Sequence, residues 1–354
     1  MTQGEFVKGN EAIAYGALKA GLNAYFAYPI TPSSEIPETL AKEFRSPSYP
    51  EFKVFLQSSS ELEAINMVIG AAATGAKAMT ATSGPGFSLK QEGLSYAAAM
   101  ELPFIVADVN RGGPGLGNLG PEQSDYFQAT KGGGHGGYRN IVLAPNSVQE
   151  MASLPSLGFT LAFRYRTPVI ILADAFLGQL KEDIVYPSIV EEKFDTPWAT
   201  TGANGETRHV LVSLRLDFDD QSRHVEHLMK KFEEAERNDI KYETYMTDDA
   251  DVIIVAFGIV SRLCKLAVNI LRDKGMAVGL FRPITLSPFP SAPLAKLARS
   301  GVKRFLVVEL NTGQMVYDVK LAVERNEVVE QIHRFGGLLP SANEIVKKVE
   351  MTSR

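Results

Sequence analysis

Short apolar blocks alternate with longer stretches in which apolar residues recur every three or four positions, and the alternation runs through most of the chain. The blocks read as buried strands and the stretches as amphipathic helices, since side chains repeat every two residues along a strand and every three to four along a helix. A helix over Glu11–Lys19, closed by Gly21, leads to a strand at Ala24–Tyr28. Ser33–Phe44 reads as a helix and Val54–Gln57 as a strand. Glu61–Ala73 is an Ala-rich helix ended at Gly75, and Ala78–Thr82 is the next strand. A helix over Gln91–Met100 and a strongly apolar strand at Pro103–Val109 follow. Beyond a glycine-rich loop come a strand near Asn140–Leu143, a helix from Ser147 and the strand Pro168–Ala173. Strands alternating with helices predict an α/β fold with a parallel sheet covered on both faces.

The rhythm stops over Val190–Ala250, which holds Thr196-Pro197-Trp198, Gly202-Ala203-Asn204-Gly205 and a charged helical run at His224–Arg237. That stretch reads as a linker between domains. A second α/β pattern begins at Asp251, with strands at Val252–Phe257, Ala277–Phe281 and Phe305–Glu309. Helices at Ser261–Asp273, Pro293–Arg299 and Gln314–Arg325 alternate with them. The expected division is therefore a domain over 1–190, a linker over 191–250 and a second domain over 251–354, each domain of an ordinary size.

Composition narrows the function. With 45% hydrophobic and 22% charged residues in 354, the chain has the make-up of a globular protein that needs no covalent staples. A formal net charge of −5 offers no basic footprint for nucleic acid or an anionic membrane. A single cysteine, Cys264, excludes a disulfide framework and a cysteine-held iron–sulfur cluster within this chain. The five histidines lack metal-ligand spacing, so no protein-held metal site is expected. The start, Met1-Thr2-Gln3-Gly4-Glu5, has no basic region followed by an apolar run, and no apolar stretch approaches the length of a span. A cytoplasmic location is the expectation.

Several segments have the residues for chemistry. Three glycine-rich runs, Ser83–Gly86, Gly112–Gly117 and Lys131–Gly137, suggest phosphate cradles. None matches the phosphate-binding or dinucleotide fingerprints, so a nucleotide-dependent dehydrogenase is disfavoured and loops at strand ends are the plainer reading. Tyr28-Pro29-Ile30-Thr31-Pro32 follows a strand, and Thr31 before Pro32 looks like a helix cap with proline at the first helical position. Free N–H groups there would suit a carboxylate, with the Thr31 hydroxyl as a further donor. Ser58-Ser59-Ser60-Glu61-Leu62-Glu63 opens the Ala-rich helix, and spacing alone lets either glutamate be a cap residue or point into a pocket. Arg111, after a buried strand and beside glycines, could grip a carboxylate with two parallel N–H bonds or lie solvated. His135 is flanked by glycines, as an acid–base group or a loop histidine.

Four motifs in order resemble one family. Tyr-Pro-Ile-Thr-Pro-Ser-Ser at 28–34, Ser-Glu-Leu-Glu-Ala-Ile-Asn-Met-Val-Ile-Gly-Ala at 60–71, Thr-Ala-Thr-Ser-Gly-Pro-Gly-Phe-Ser at 80–88 and Asn-Arg-Gly-Gly-Pro-Gly at 110–115 are similar to the alpha subunit of 2-oxoacid:ferredoxin oxidoreductases. The resemblance implies a pyrimidine-binding thiamine-diphosphate domain first and a transketolase C-terminal-like domain from Asp251. The loop at 113–120 with Ala129–Arg139 looks closer to the branched-chain than to the 2-oxoglutarate members. Glu61, Ala64 and Gly70 match the family's Glu-x-x-Ala-x-x-x-x-x-Gly, which implies that Glu61, not Glu63, activates the cofactor through its aminopyrimidine. By the same resemblance Thr31 and Arg111 contact the substrate carboxylate, and Tyr28, Pro29, Ser83 and Gly84 line the cofactor.

The implied reaction is coenzyme A-dependent oxidative decarboxylation of a 2-oxoacid, such as 3-methyl-2-oxobutanoate, with electrons passed to ferredoxin. The family holds the cofactor's diphosphate and magnesium with a Gly-Asp-Gly motif, and none occurs here. A beta-type subunit is thus implied to carry that site, with iron–sulfur clusters on gamma-type and ferredoxin-like subunits. A 2-oxoglutarate or pyruvate version is the alternative within the family, and a non-catalytic scaffold subunit the alternative outside it. Retention of Glu61, Thr31 and Arg111 together argues against the scaffold.

Overall fold

The computed structural model describes residues 4–186, 194–202 and 208–351. The expected boundary at 190/191, the Ala203–Gly205 part of the linker and the start at Met1–Gln3 lie outside the described residues.

The first half runs β1 (Glu5–Lys8), α1 (Gly9–Lys19), β2 (Ala24–Ala27), α2 (Glu35–Glu43), β3 (Val54–Gln57) and α3 (Glu61–Ala73). It continues β4 (Ala78–Thr82), α4 (Gly84–Ala99), β5 (Phe104–Asn110), α5 (Tyr126–Thr130) and β6 (Ile141–Leu143). The helix α6 (Val148–Tyr165), then β7 (Pro168–Asp174), α7 (Ala175–Gln179) and β8 (Lys181–Ile184) complete it. The second half runs α8 (Phe218–Asn238), β9 (Tyr242–Tyr245), β10 (Val252–Val255), α9 (Gly258–Asp273), β11 (Val278–Pro283) and β12 (Thr285–Ser287). It ends α10 (Ser291–Arg299), β13 (Arg304–Glu309), α11 (Met315–Val323), β14 (Val329–His333) and α12 (Ala342–Met351).

The main sheet has the order β12-β6-β7-β5-β4-β2-β3, parallel throughout except where β12 joins β6 antiparallel. The second sheet, β14-β13-β10-β11-β9, is likewise parallel apart from β9. A β1–β8 ribbon stands beside them. Central strands β5 and β7 are buried at every position, as expected of strands covered on both faces. Alternate residues of β5 feed different cores. Phe104 and Val106 face one shared with α3, α4 and the second sheet, whereas Ile105, Ala107 and Val109 face one shared with α1 and α6.

Several expectations need correction. The helix after β2 begins at Glu35 with Ser34 as its cap, so Thr31 is not a cap and Pro32 is not the first helical residue. Pro37 gives the reason: in a helix begun at Pro32 it would lack an interior N–H, but three residues into α2 that N–H has no partner to lose. Ser83–Gly86 is not a loop but the start of α4, capped at Ser83 with Pro85 in the first turn. The expected linker supplies β9 to the second sheet, and β12 of the second half completes the first.

Candidate active site at the carboxyl ends of the parallel strands

Because β2, β3, β4 and β5 are parallel, the chain leaves all four on one edge of the sheet. That edge is where ligands sit in open α/β sheets. It carries Tyr28–Thr31 after β2, Glu61 after β3, Ser83 and Gly84 after β4, and Arg111 after β5. All seven residues picked out by the sequence motifs therefore emerge along one rim.

The two glutamates separate by face. In α3 the buried positions are Glu61, Ala64, Ile65, Val68 and Ala72, the spacing of a helix stripe turned to the sheet, so Glu61 points inward. Glu63 lies on the outer face. Its N–H donates to Ser60 Oγ at 3.2 Å, and its carboxylate accepts from Ser59 N–H at 2.9 Å, a bond from Ser59 that holds its pKa below the usual carboxylate value. Ser60 caps the helix as the sequence suggests, and Glu63 is the outward member of that cap. The helix α4 meets Glu61 closely. A Cβ on Gly86 would stand 2.6 Å from Glu61 Oε1 and closer still to Thr82 Oγ1, so only glycine fits between this carboxyl and the α4 backbone.

Arg111 and Thr31 meet. The Arg111 Nη1 donates to the Thr31 carbonyl at 2.8 Å and Nη2 to the Leu116 carbonyl at 3.3 Å, which pins the guanidinium across the mouth of the β2 and β5 loops. Thr31, Tyr28 and Pro29 are exposed there. From beneath, the fully buried Asn10 donates to the Pro32 carbonyl at 2.6 Å and to Glu35 Oε2 at 2.8 Å, fixing the β2 loop. His135 is exposed, set edge-on to Tyr96 at 5.7 Å, in a loop anchored by Gly133 N–H to Gln91 and Gly134 N–H to the Tyr138 hydroxyl. Lys131 pairs with Asp318 at 2.5 Å, and Arg139 lies over the Phe232 ring at 5.1 Å.

Beneath the rim lies a set of polar groups that the sequence motifs do not flag. The Thr82 and Ser83 hydroxyls, the Lys90 amine, both Asp108 carboxyl oxygens and the Asn110 amide nitrogen are buried with no hydrogen-bond partner among the described residues. Lys90 was legible in principle. Phe87, Lys90, Gln91 and Leu94 share one buried helix stripe, a place where a lysine is out of keeping. Among the described residues no group of three or more His, Cys, Asp or Glu is placed to hold a metal ion. Nor is any described helix long and apolar enough to cross a membrane.

These groups suit the aminopyrimidine end of a thiamine cofactor. An inward carboxyl, a glycine that admits close approach and unsatisfied hydroxyls converge at one place. The chain matches the family described as pyruvate flavodoxin/ferredoxin oxidoreductase, thiamine diphosphate-binding, over residues 15–244. It matches pyruvate:ferredoxin oxidoreductase core domain II over 250–345. It is 50% identical over 346 residues to the ketoisovalerate oxidoreductase subunit VorB of Methanothermobacter marburgensis, covering 98% of this chain and 97% of that one. To the 2-oxoglutarate synthase subunit KorA of the same organism it is 36% identical over 378 residues, covering 99% of each. Among solved structures it is similar to the 2-oxoglutarate:ferredoxin oxidoreductase from Magnetococcus marinus, with a TM-score of 0.91 and 27% identity. That match takes in all of this chain and 66% of the other.

Proposed function

The chain belongs to the pyruvate flavodoxin/ferredoxin oxidoreductase family, and on that premise we propose that it is the Glu61-bearing subunit of a branched-chain 2-oxoacid:ferredoxin oxidoreductase. The reaction is coenzyme A-dependent oxidative decarboxylation, with 3-methyl-2-oxobutanoate (ketoisovalerate) as the preferred substrate. Bound thiamine diphosphate supplies the electron sink for loss of carbon dioxide. The Glu61 carboxyl meets the aminopyrimidine and holds a proton at its Oε atoms. Thr31 and Arg111 orient the substrate carboxylate, and Tyr28, Pro29, Ser83 and Gly84 line the cofactor. The inward turn of Glu61, against the outward turn of Glu63, carries this reading.

The remaining parts belong to other chains. Magnesium and the diphosphate fall to a beta-type subunit, since this sequence has no Gly-Asp-Gly. Iron–sulfur clusters fall to gamma-type and ferredoxin-like subunits, since the one cysteine here, Cys264, is buried. Residues 1–190 would form the pyrimidine-binding domain and 251–354 the second domain, with 191–250 between them.

The substrate preference rests on charge. A 2-oxoglutarate enzyme must pair a second carboxylate, because an unpaired buried charge is costly. The two basic residues of the 131–139 loop are both occupied, Lys131 by Asp318 and Arg139 by the Phe232 ring. The 50% identity to a ketoisovalerate oxidoreductase subunit points the same way. Rates of the assembled enzyme on a panel of 2-oxoacids test this. Branched-chain acids should lead, and a clear preference for 2-oxoglutarate would overturn the reading.

A further inference from the structure

On the edge of the main sheet opposite Glu61, α8 spans a cavity. Ile141 opens β6 and Thr167 stands just before β7, so both line it from the amino ends of parallel strands. The void measures about 210 Å³, and Ala98, Ile141, Tyr165, Leu228 and Phe232 give it apolar walls. Protein interiors are close-packed, so a helix free to settle would close a gap of this size. Bonds along its length hold α8 in place over the gap. His224 donates to the Ala99 carbonyl at 2.9 Å and Lys231 to the Arg166 carbonyl at 3.0 Å. At the end of α8, Asp239 accepts from the Tyr165 hydroxyl at 2.6 Å and from Arg164 at 2.9 and 3.0 Å. The cavity is therefore preformed, with mostly apolar walls and a few charged groups, as small-molecule sites are.

Its charged groups indicate what would fill it. Met229, Phe232, Glu233 and Glu236 share one face of α8 by their spacing, and all four line the cavity. Arg139 lines it too, its guanidinium 5.1 Å from the centre of the Phe232 ring. The ring takes the flat face of the guanidinium, and the N–H groups around its edge stay free to bond a carboxylate. Arg139, Glu233 and Glu236 have no ion-pair partner among the described residues. Lys231, by contrast, is taken by the Arg166 carbonyl and lies 3.8 Å from Glu101. We propose that this cavity binds a small zwitterion with an apolar side chain, a branched-chain amino acid such as L-leucine. Its carboxylate would meet Arg139, its ammonium Glu233 and Glu236, and its side chain the apolar walls. A carboxylate alone would face two unpaired glutamates, and an amine alone would leave Arg139 unmatched. The size agrees, since a cavity of about 150 Å³ already holds a benzene. The site is remote from Glu61, so the inference does not depend on which 2-oxoacid the enzyme takes.

Calorimetric titration of the full chain with L-leucine tests this, and saturable binding is expected. Two analogues divide the charges: 4-methylpentanoate lacks the ammonium and 3-methylbutylamine lacks the carboxylate. Each should bind about tenfold or more weakly than L-leucine, because each leaves a charged group of the site unmatched. Arg139→Met should weaken L-leucine by a similar factor without weakening 3-methylbutylamine. The Glu233→Gln/Glu236→Gln double variant should weaken L-leucine without weakening 4-methylpentanoate. All three side chains are exposed, so both variants should keep the wild-type Tm and far-UV circular dichroism. Absence of saturable binding of L-leucine, or equal affinity in wild type and both charge variants, overturns the proposal.

Discussion

Glu61 and Glu63 stand two residues apart on α3, so their side chains leave on nearly opposite faces and meet different surroundings. One is enclosed against Gly86 and the other bonds the backbone of its own cap. In the assembled enzyme, Glu61→Gln should lower turnover by on the order of a hundredfold or more, the scale of lost acid–base assistance. Glu63→Gln should leave turnover unchanged and lower Tm slightly; steady-state rates and thermal melts of both variants decide it. Equal turnover in the Glu61 variant would contradict the assignment. The buried carboxyls also leave a mark on stability. Asp125 is raised from 3.8 to about 6, so the folded state binds its proton more tightly than the unfolded state. Its contribution is fully present below about pH 3.8 and is lost as pH rises through about 6. Urea unfolding of wild type and Asp125→Asn across that window should show their stability difference changing in that sense, with no such slope above it.

At the scale of elements, the two halves are tied by β12 and by several ion pairs, one of them built on a buried arginine. Arg282 of β11 is only 1% exposed and grips Glu150 of α6 at 2.7 and 3.1 Å, with Glu243 of β9 at 3.4 Å from Nε. Removing one partner of such a pair leaves charge uncompensated. Arg282→Met should cost about 2 to 3 kcal/mol, near the lower end for buried pairs because both glutamates keep contact with water. Urea unfolding should show an earlier midpoint in a single transition; an unchanged midpoint, or two separate transitions, would contradict the coupling. Much of this scaffold was legible in the sequence. Val54–Gln57, Glu61–Ala73 and Ala78–Thr82 match the observed elements to the residue, and they stop at Ser58, at Thr74-Gly75 and at Ser83. What escaped the sequence is short or polar. The strands β1, β8 and β12 have three or four residues, and pairing with distant partners makes them strands. The early start of α4 was hidden because Ser-Gly-Pro-Gly reads as a turn. Its glycines answer to tertiary neighbours, Gly86 to Glu61 and Gly93 to Ile65, which no local pattern reveals. The burial of Lys90 and Asp108 without hydrogen-bond partners among the described residues stayed unseen for a similar reason, because α4 and β5 are covered by elements distant in sequence.

Taken whole, and on the reading proposed above, the chain offers one end of a cofactor site. It presents an inward carboxyl, a fixed arginine and a pinned loop along one rim of a parallel sheet. It has no Gly-Asp-Gly, and among the described residues no cluster for a metal ion. Cofactor affinity of this kind depends largely on the diphosphate, which is held through magnesium by one or two carboxylates and the phosphates themselves. On the reading proposed above, the site is complete only at an interface with another chain, and such a permanent interface should be large. The direct measurement is calorimetric titration of this full chain with thiamine diphosphate and magnesium, alone and then with the partner that carries the diphosphate site. Weak binding and no viologen reduction by the chain alone, with tight binding once the partner is added, is the predicted result. Tight binding and full activity without any partner would contradict it.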